Sequence, residues 1–168
     1  MSDPAFQLRR ARPGDAAAIA EVHARTWQAA YEHVFGAERL AQHRPDAALW
    51  TRILSNESVD ARVAEDGEGR IVAFVSVGPS RDDDAEGELY AIYALPEAWG
   101  TGTGHALMQA GVEAMRSAGY CDAILYVLDD NTRARRFYER EGWALDGGTK
   151  PDEFFGVEIT ELRYRLVL

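Results

Sequence analysis

The run Trp99-Gly100-Thr101-Gly102-Thr103-Gly104 constrains this chain more than any other segment. It follows a strand-like stretch, Glu88 to Leu95. It precedes an apolar helical stripe of Leu107, Ala110, Gly111, Ala114, Met115 and Ala118, which Gly119 ends. Glycines let the backbone turn tightly and leave no side chain in front of the N–H groups. The first turn of a helix has unpaired N–H groups and a partial positive charge, so this junction suits an anionic phosphate. Two phosphate-binding designs do not match. A nucleotide P-loop needs Lys and Ser or Thr after its last glycine, and His105-Ala106 stand there. A dinucleotide fold needs Gly-x-Gly-x-x-Gly after the first strand of a parallel βαβ unit. Here the spacing is Gly-x-Gly-x-Gly, after several hairpin-connected strands.

The rest of the chain reads as alternating elements. Phe6 to Arg10 is a short first strand, broken by Pro13-Gly14-Asp15. Asp15 is placed to cap a helix carrying Ala16, Ile19, Ala20, Val22, His23, Trp27, Ala30 and Tyr31 at helical spacing. A second helical stretch runs from about Ala37 to Leu54, interrupted near Pro45. Arg62 to Glu65 and Ile71 to Val77 flank the hairpin signal Asp66-Gly67-Glu68-Gly69. Arg81 to Gly87 reads as a solvated polar loop. Ala123 to Leu128 is an apolar run typical of a central strand. Asp129-Asp130-Asn131 supplies cap chemistry for a helix over Arg133 to Glu141. Trp143 to Leu145 and Val157 to Leu168 read as closing strands, with a loop over Gly147 to Glu153. The order β-α-α-β-β-β-α-β-α-β-β predicts one mixed α/β domain over residues 1–168. It has a mostly antiparallel sheet of about seven strands, flanked by about four helices.

Composition narrows the class. The 168 residues are 46% hydrophobic and 10% aromatic, enough for a core of their own. A net charge of −10 argues against a nucleic-acid partner. Cys121 is the single cysteine, so no intrachain disulfide forms. The four histidines are scattered without zinc spacing, and no metal is expected. No apolar leader or bilayer-length stretch occurs, so a cytoplasmic protein without membrane contact is expected.

The segment from Ile92 through Trp99-Gly100-Thr101-Gly102-Thr103-Gly104 to Leu107 resembles the acetyl-CoA motif of the GCN5-related N-acetyltransferases. Asn131 to Trp143 resembles that family's second cofactor motif, and Leu8 to Asp15 its usual first strand and helix start. Two positions depart from the family. Trp99 stands where Arg or Gln is common, and Trp143 replaces the more usual Phe.

The resemblance implies acetyl transfer from acetyl-CoA to a primary amine on a small molecule or peptide, by direct transfer in a ternary complex. The alternative is a catalytically silent acyl-CoA-binding domain. It also implies splayed strands that free backbone groups of Ile92, Tyr93 and Ala94 for the pantetheine, which a β-bulge would produce. The pyrophosphate would rest on N–H groups of Gly100, Thr101, Gly102, Thr103, Gly104 and His105. Asn131, Ala134 and Tyr138 share one helix face by spacing. The resemblance turns that face toward the cofactor, with the Tyr138 phenol donating to the leaving sulfur. Glu88 alternates with Tyr90 on the strand leading to the site; it is either the base for the amine proton or a solvent-facing edge carboxylate. Certain ribosomal-protein acetyltransferases of the family carry a base glutamate on the next strand. Tyr126 stands at that position, which weighs against a protein N-terminus as acceptor. Cys121 is remote from both motifs, against a covalent route. The acceptor site implied by the family points to Trp27, Tyr31, Phe35, Phe154 and Phe155, with core packing the competing role for Trp27 and Tyr31. A C-terminal edge strand offers pairing for a homodimer.

Overall fold

A computed structural model of the protein describes residues 5–168. Seven strands form one sheet in the order β1-β2-β3-β4-β5-β7-β6, antiparallel throughout except between β4 and β5. The strands are β1 (Phe6–Arg10), β2 (Asp60–Asp66), β3 (Ile71–Pro79), β4 (Gly87–Ala94), β5 (Asp122–Leu128), β6 (Ala144–Phe154) and β7 (Val157–Val167). Five helices cover it: α1 (Ala16–Phe35), α2 (Ala37–Leu40), α3 (Ala47–Leu54), α4 (Thr103–Ser117) and α5 (Thr132–Arg140). The stretch expected from Ala37 to Leu54 is thus two helices, parted around Pro45, which disfavours helical backbone in the residue before it.

The apolar run of β3 is buried on both faces. Ala73, Val75 and Val77 meet Leu107, Met108, Val112 and Met115 of α4 on one side. Val72 and Phe74 meet Ile19 of α1 and Trp50 of α3 on the other. Gly111 lets α4 lie close on β3: a Cβ there would stand 3.2 Å from methyls of Val75 and Val77. Trp143, after the second motif, is buried in the α4 layer with Tyr138 and Tyr164.

Three local expectations are corrected. Asp15 precedes α1 but gives it no side-chain cap; its carboxylate is held by Arg9 at 2.7 and 2.9 Å and by the Arg12 N–H. The segment Gly147 to Glu153 is strand, not loop. Its glycines belong to a bulge, since the register jumps from Leu145 opposite Tyr164 to Thr149 opposite Leu162. Pro151 is tolerated because β6 is an edge strand, with a partner on one side only. The hairpin closes through Phe155 and Gly156, both at positive φ (53° and 75°), as a two-residue turn of this hand requires. The polar loop after β3 is pinned rather than freely solvated. Arg163 of β7 bonds Asp82 and Asp84, and Tyr126 bonds Asp82.

Candidate active site

β4 and β5 are paired at only two registers, Gly87 opposite Ala123 and Glu88 opposite Ile124. Beyond these the strands part. The cause lies in β4: Ser76 faces Ala91 and Val77 faces Leu89, so Tyr90 is an extra residue. From Leu89 onward the edge of β4 that faces β5 has no ladder partner, so backbone groups of Ile92, Tyr93 and Ala94 lie along an open seam. The seam widens into a cleft of about 950 Å³ that reaches from the glycine loop to α1 and the β6–β7 hairpin.

The glycine loop forms one end. Gly100 and Gly102 have φ of 72° and 85°, a region that side chains with a Cβ avoid. Thr101 Oγ1 donates to the Ala98 carbonyl at 2.6 Å and lies 2.7 Å from Thr103 Oγ1, which fastens the turn. The Ala106 N–H is the first of the helix to find a backbone acceptor, Gly102 at 3.0 Å. Among the described residues, the amides of Gly100, Thr101, Gly102, Gly104 and His105 have no backbone partner. A Cβ on Gly100 or Gly102 would meet nothing within 4 Å, and one on Gly104 only the Phe137 ring at 3.5 Å. Free donors facing open space fit a diphosphate. The His105 ring turns aside to Glu141, at 2.8 Å. Trp99 has a part of its own: its indole N–H donates to the Ala94 carbonyl at 2.8 Å. The Arg133 guanidinium of α5 lies 3.3 Å above its ring centre. Together they tie α5 to the loop.

α5 supplies the opposite wall. Asn131 caps it, accepting from the Ala134 N–H at 3.1 Å, and donates to the Tyr31 hydroxyl at 3.0 Å. Asn131, Ala134 and Tyr138 all line the cleft, as their spacing requires. Tyr138 is buried, and among the described residues its hydroxyl makes no hydrogen bond within the protein. Burial, then the neighbouring Tyr31, push its pKa up, so the phenol keeps its proton.

The aromatic residues divide. Trp27, Tyr31 and Phe154 line the cleft, with Trp27 donating to the Tyr93 hydroxyl at 3.1 Å. Phe35 lies behind Trp27, and Phe155 packs on Phe35 and His43 and lines a separate hollow beside α2. Glu88 borders the cleft but is only 1% exposed, so it is no solvent-facing edge group. Its carboxylate accepts from the Arg81 guanidinium at 2.5 Å and from the Arg81 N–H at 2.9 Å. Sequence reasoning passed over Glu161, Arg81 and the Trp99–Arg133 pair, all of which line the cleft. For Glu161 a signal existed. It continues the parity of Val157 and Ile159, the face of β7 that packs toward α1.

Comparison with known proteins identifies the family. The uncharacterized N-acetyltransferase YuaI of Bacillus subtilis (strain 168) is 30% identical over 128 residues, 74% of this chain and 72% of that protein. A mycothiol acetyltransferase of Kocuria rhizophila is 39% identical over 90 residues, 50% of this chain but only 30% of that protein. The PaiA N-acetyltransferase of Thermoplasma acidophilum, crystallised with coenzyme A, superposes over 100% of both chains with a TM-score of 0.76 at 19% identity, and so shares the fold. The model of the acetyltransferase (GNAT) family matches residues 17–143, from the first turn of α1 to Trp143. With both cofactor motifs inside that span, the chain belongs to the acetyltransferase (GNAT) family.

Proposed function

We propose that the protein is an N-acetyltransferase that moves acetyl from acetyl-CoA to a primary amine of a small molecule or peptide, by direct transfer in a ternary complex. The free amides of the glycine loop would hold the pyrophosphate, and the unpaired edge of β4 at Ile92, Tyr93 and Ala94 the pantetheine arm. Acetyl-CoA supplies an activated acyl group. The protein orients it, excludes water and manages protons.

The observation that carries this reading is Tyr138. Its phenol stands protonated in the cleft, without a protein partner, one helical turn from Ala134 and within the field of Tyr31. Such a group is suited to donate to a departing thiolate. Glu88 enters the reading as the anchor of Arg81. Both its oxygens accept from that residue, which leaves it poorly placed to serve as the base. Cys121 supports direct transfer by default. It is exposed at the α4–β5 junction, away from the cleft, and the Glu86 carboxylate raises its thiol pKa.

The test pairs coenzyme A binding by calorimetry with thiol release over a panel of amines, for the wild type and Tyr138→Phe. The variant keeps its affinity for coenzyme A and loses turnover by about 10²- to 10⁴-fold. Equal turnover in both proteins removes Tyr138 from the mechanism. Tight coenzyme A binding without turnover of any amine by the wild type favours a binding module instead.

A further inference from the structure

Lys150 is the one lysine of this chain, against 17 arginines. It stands on β6 directly opposite Glu161 on β7, and both residues line the cleft. Its Nζ lies 3.9 Å from Glu161 Oε1 and 4.8 Å from the centre of the Tyr126 ring. A carboxylate beside an aromatic face is a receptor for an alkylammonium, and in this structure an alkylammonium sits in it. The two partners differ in freedom. The Lys150 side chain is 44% exposed at the rim, whereas that of Glu161 is 13% exposed. The cation is free to swing out; the carboxylate is held inside.

Resting on the acetyltransferase reading, we infer that Glu161 anchors the acceptor's ammonium and takes its proton, and that the acceptor is a primary alkylamine replacing Lys150 at this seat. The groups facing Glu161 are Lys150 and Asp152 from β6, Arg81 from the loop before β4, Tyr31 from α1 and Tyr93 from β4. Burial raises the Glu161 pKa, Asp152 adds to the rise, and Lys150 and Arg81 oppose it. A carboxylate moved upward in this way is a better proton acceptor near neutral pH. Glu161, Tyr31 and Tyr138 all line the one cleft, so the proton acceptor and the proton donor belong to one chamber.

The proton balance closes. The bound ammonium gives one proton to Glu161, which passes it to solvent. The freed amine nitrogen attacks the thioester carbon, a C–N bond forms and the C–S bond breaks. Tyr138 protonates the departing sulfur, and the second proton shed by the nitrogen restores the phenol. The products are an amide, a free thiol and one released proton.

The experiment measures kcat/KM for n-pentylamine against pH at saturating acetyl-CoA, in the wild type, Glu161→Gln and Lys150→Met. The wild type accepts the ammonium, so its profile is flat from near neutral pH to the ionisation of the amine. Glu161→Gln must wait for the free base. Its kcat/KM is about 10²- to 10³-fold lower at pH 7 and climbs about tenfold per pH unit. Lys150→Met removes the competing cation, so KM for pentylamine falls several-fold and the acid limb moves to higher pH. A Glu161→Gln profile as flat as the wild type's overturns the inference. So does a wild type that acetylates arylamines but not pentylamine, which leaves the acetyltransferase reading standing. A wild type that acetylates no amine at all defeats that underlying reading. A measurement without variants uses the side-chain NMR resonance of the single lysine. Saturation with pentylamine, with coenzyme A bound, shifts it, and an unmoved resonance refutes the shared seat.

Discussion

Replacing Gly104 by Ala separates the phosphate-holding role proposed for the glycine loop from its role in folding. Gly104 lies in the first turn of α4, and its φ is not among the positive values of this loop. An added Cβ would meet only the Phe137 ring, at 3.5 and 3.6 Å, an ordinary van der Waals distance. Alanine is favoured over glycine inside a helix by up to about 1 kcal/mol, so Gly104→Ala folds as stably as the wild type or slightly more so. The ligand side differs. A helical Cβ tilts toward the helix N-terminus, here toward the loop amides without a backbone partner, those of Gly100, Thr101 and Gly102. A methyl group that keeps a phosphate oxygen from one such amide removes a charge-assisted hydrogen bond of about 1.5–3 kcal/mol, which is about 10- to 100-fold in affinity. Gly102→Ala provides the contrast. At φ 85° a Cβ meets no neighbour but forces a left-handed backbone, costing about 1–2 kcal/mol. That corresponds to a fall in Tm of about 3–6 °C. Thermal unfolding and coenzyme A titration of both variants decide the matter. Gly104→Ala binding coenzyme A within twofold of the wild type would refute the placement of the phosphates.

Two further outcomes concern stability. His23 is stacked on Tyr93 at 5.2 Å and edged by Trp50 at 5.8 Å, and burial, then His43, lower its pKa from 6.5 to about 4. Between those values the unfolded chain binds a proton that the native chain does not, so stability rises with pH through this window and is lost as pH falls. Urea unfolding at pH 4.5 and 7.5 should show the wild type losing about 2–3 kcal/mol more on acidification than His23→Gln; equal losses contradict the burial argument. Gly78→Ala would place a Cβ 2.9 Å from the Ser58 carbonyl and 2.8 Å from the Tyr90 hydroxyl, next to the bulge that opens the cleft. It is expected to cost about 1–3 kcal/mol in denaturant unfolding, and an unchanged midpoint would show that this crowding relaxes freely.

The end of the cleft formed by the glycine loop and α5 was legible along the chain because its parts are local. Glycines 100 and 102, the helix that follows, and the Asn131–Ala134–Tyr138 face are each set by spacing within a few residues. The apolar run of β3 likewise told its own story, since a strand covered on both faces needs no alternation. The end between α1 and the β6–β7 hairpin was not legible in this way. Phe154 and Phe155 are adjacent in sequence, yet a tight turn sends them to different hollows. Strand spacing makes Glu88 a candidate base, yet Arg81, seven residues earlier, occupies both its oxygens.

The order of the strands, the glycine turn and the face of α5 follow from short-range periodicity and turn chemistry, and the sequence alone determined them. The parting of β4 from β5, the pairing of Lys150 with Glu161 across a hairpin, and the meeting of Tyr31 with Asn131 exist only once the sheet is assembled. Register between strands and the packing of α1 on the sheet depend on residues up to a hundred positions apart. No local pattern encodes that geometry, so only the tertiary structure decided which charges share the cleft.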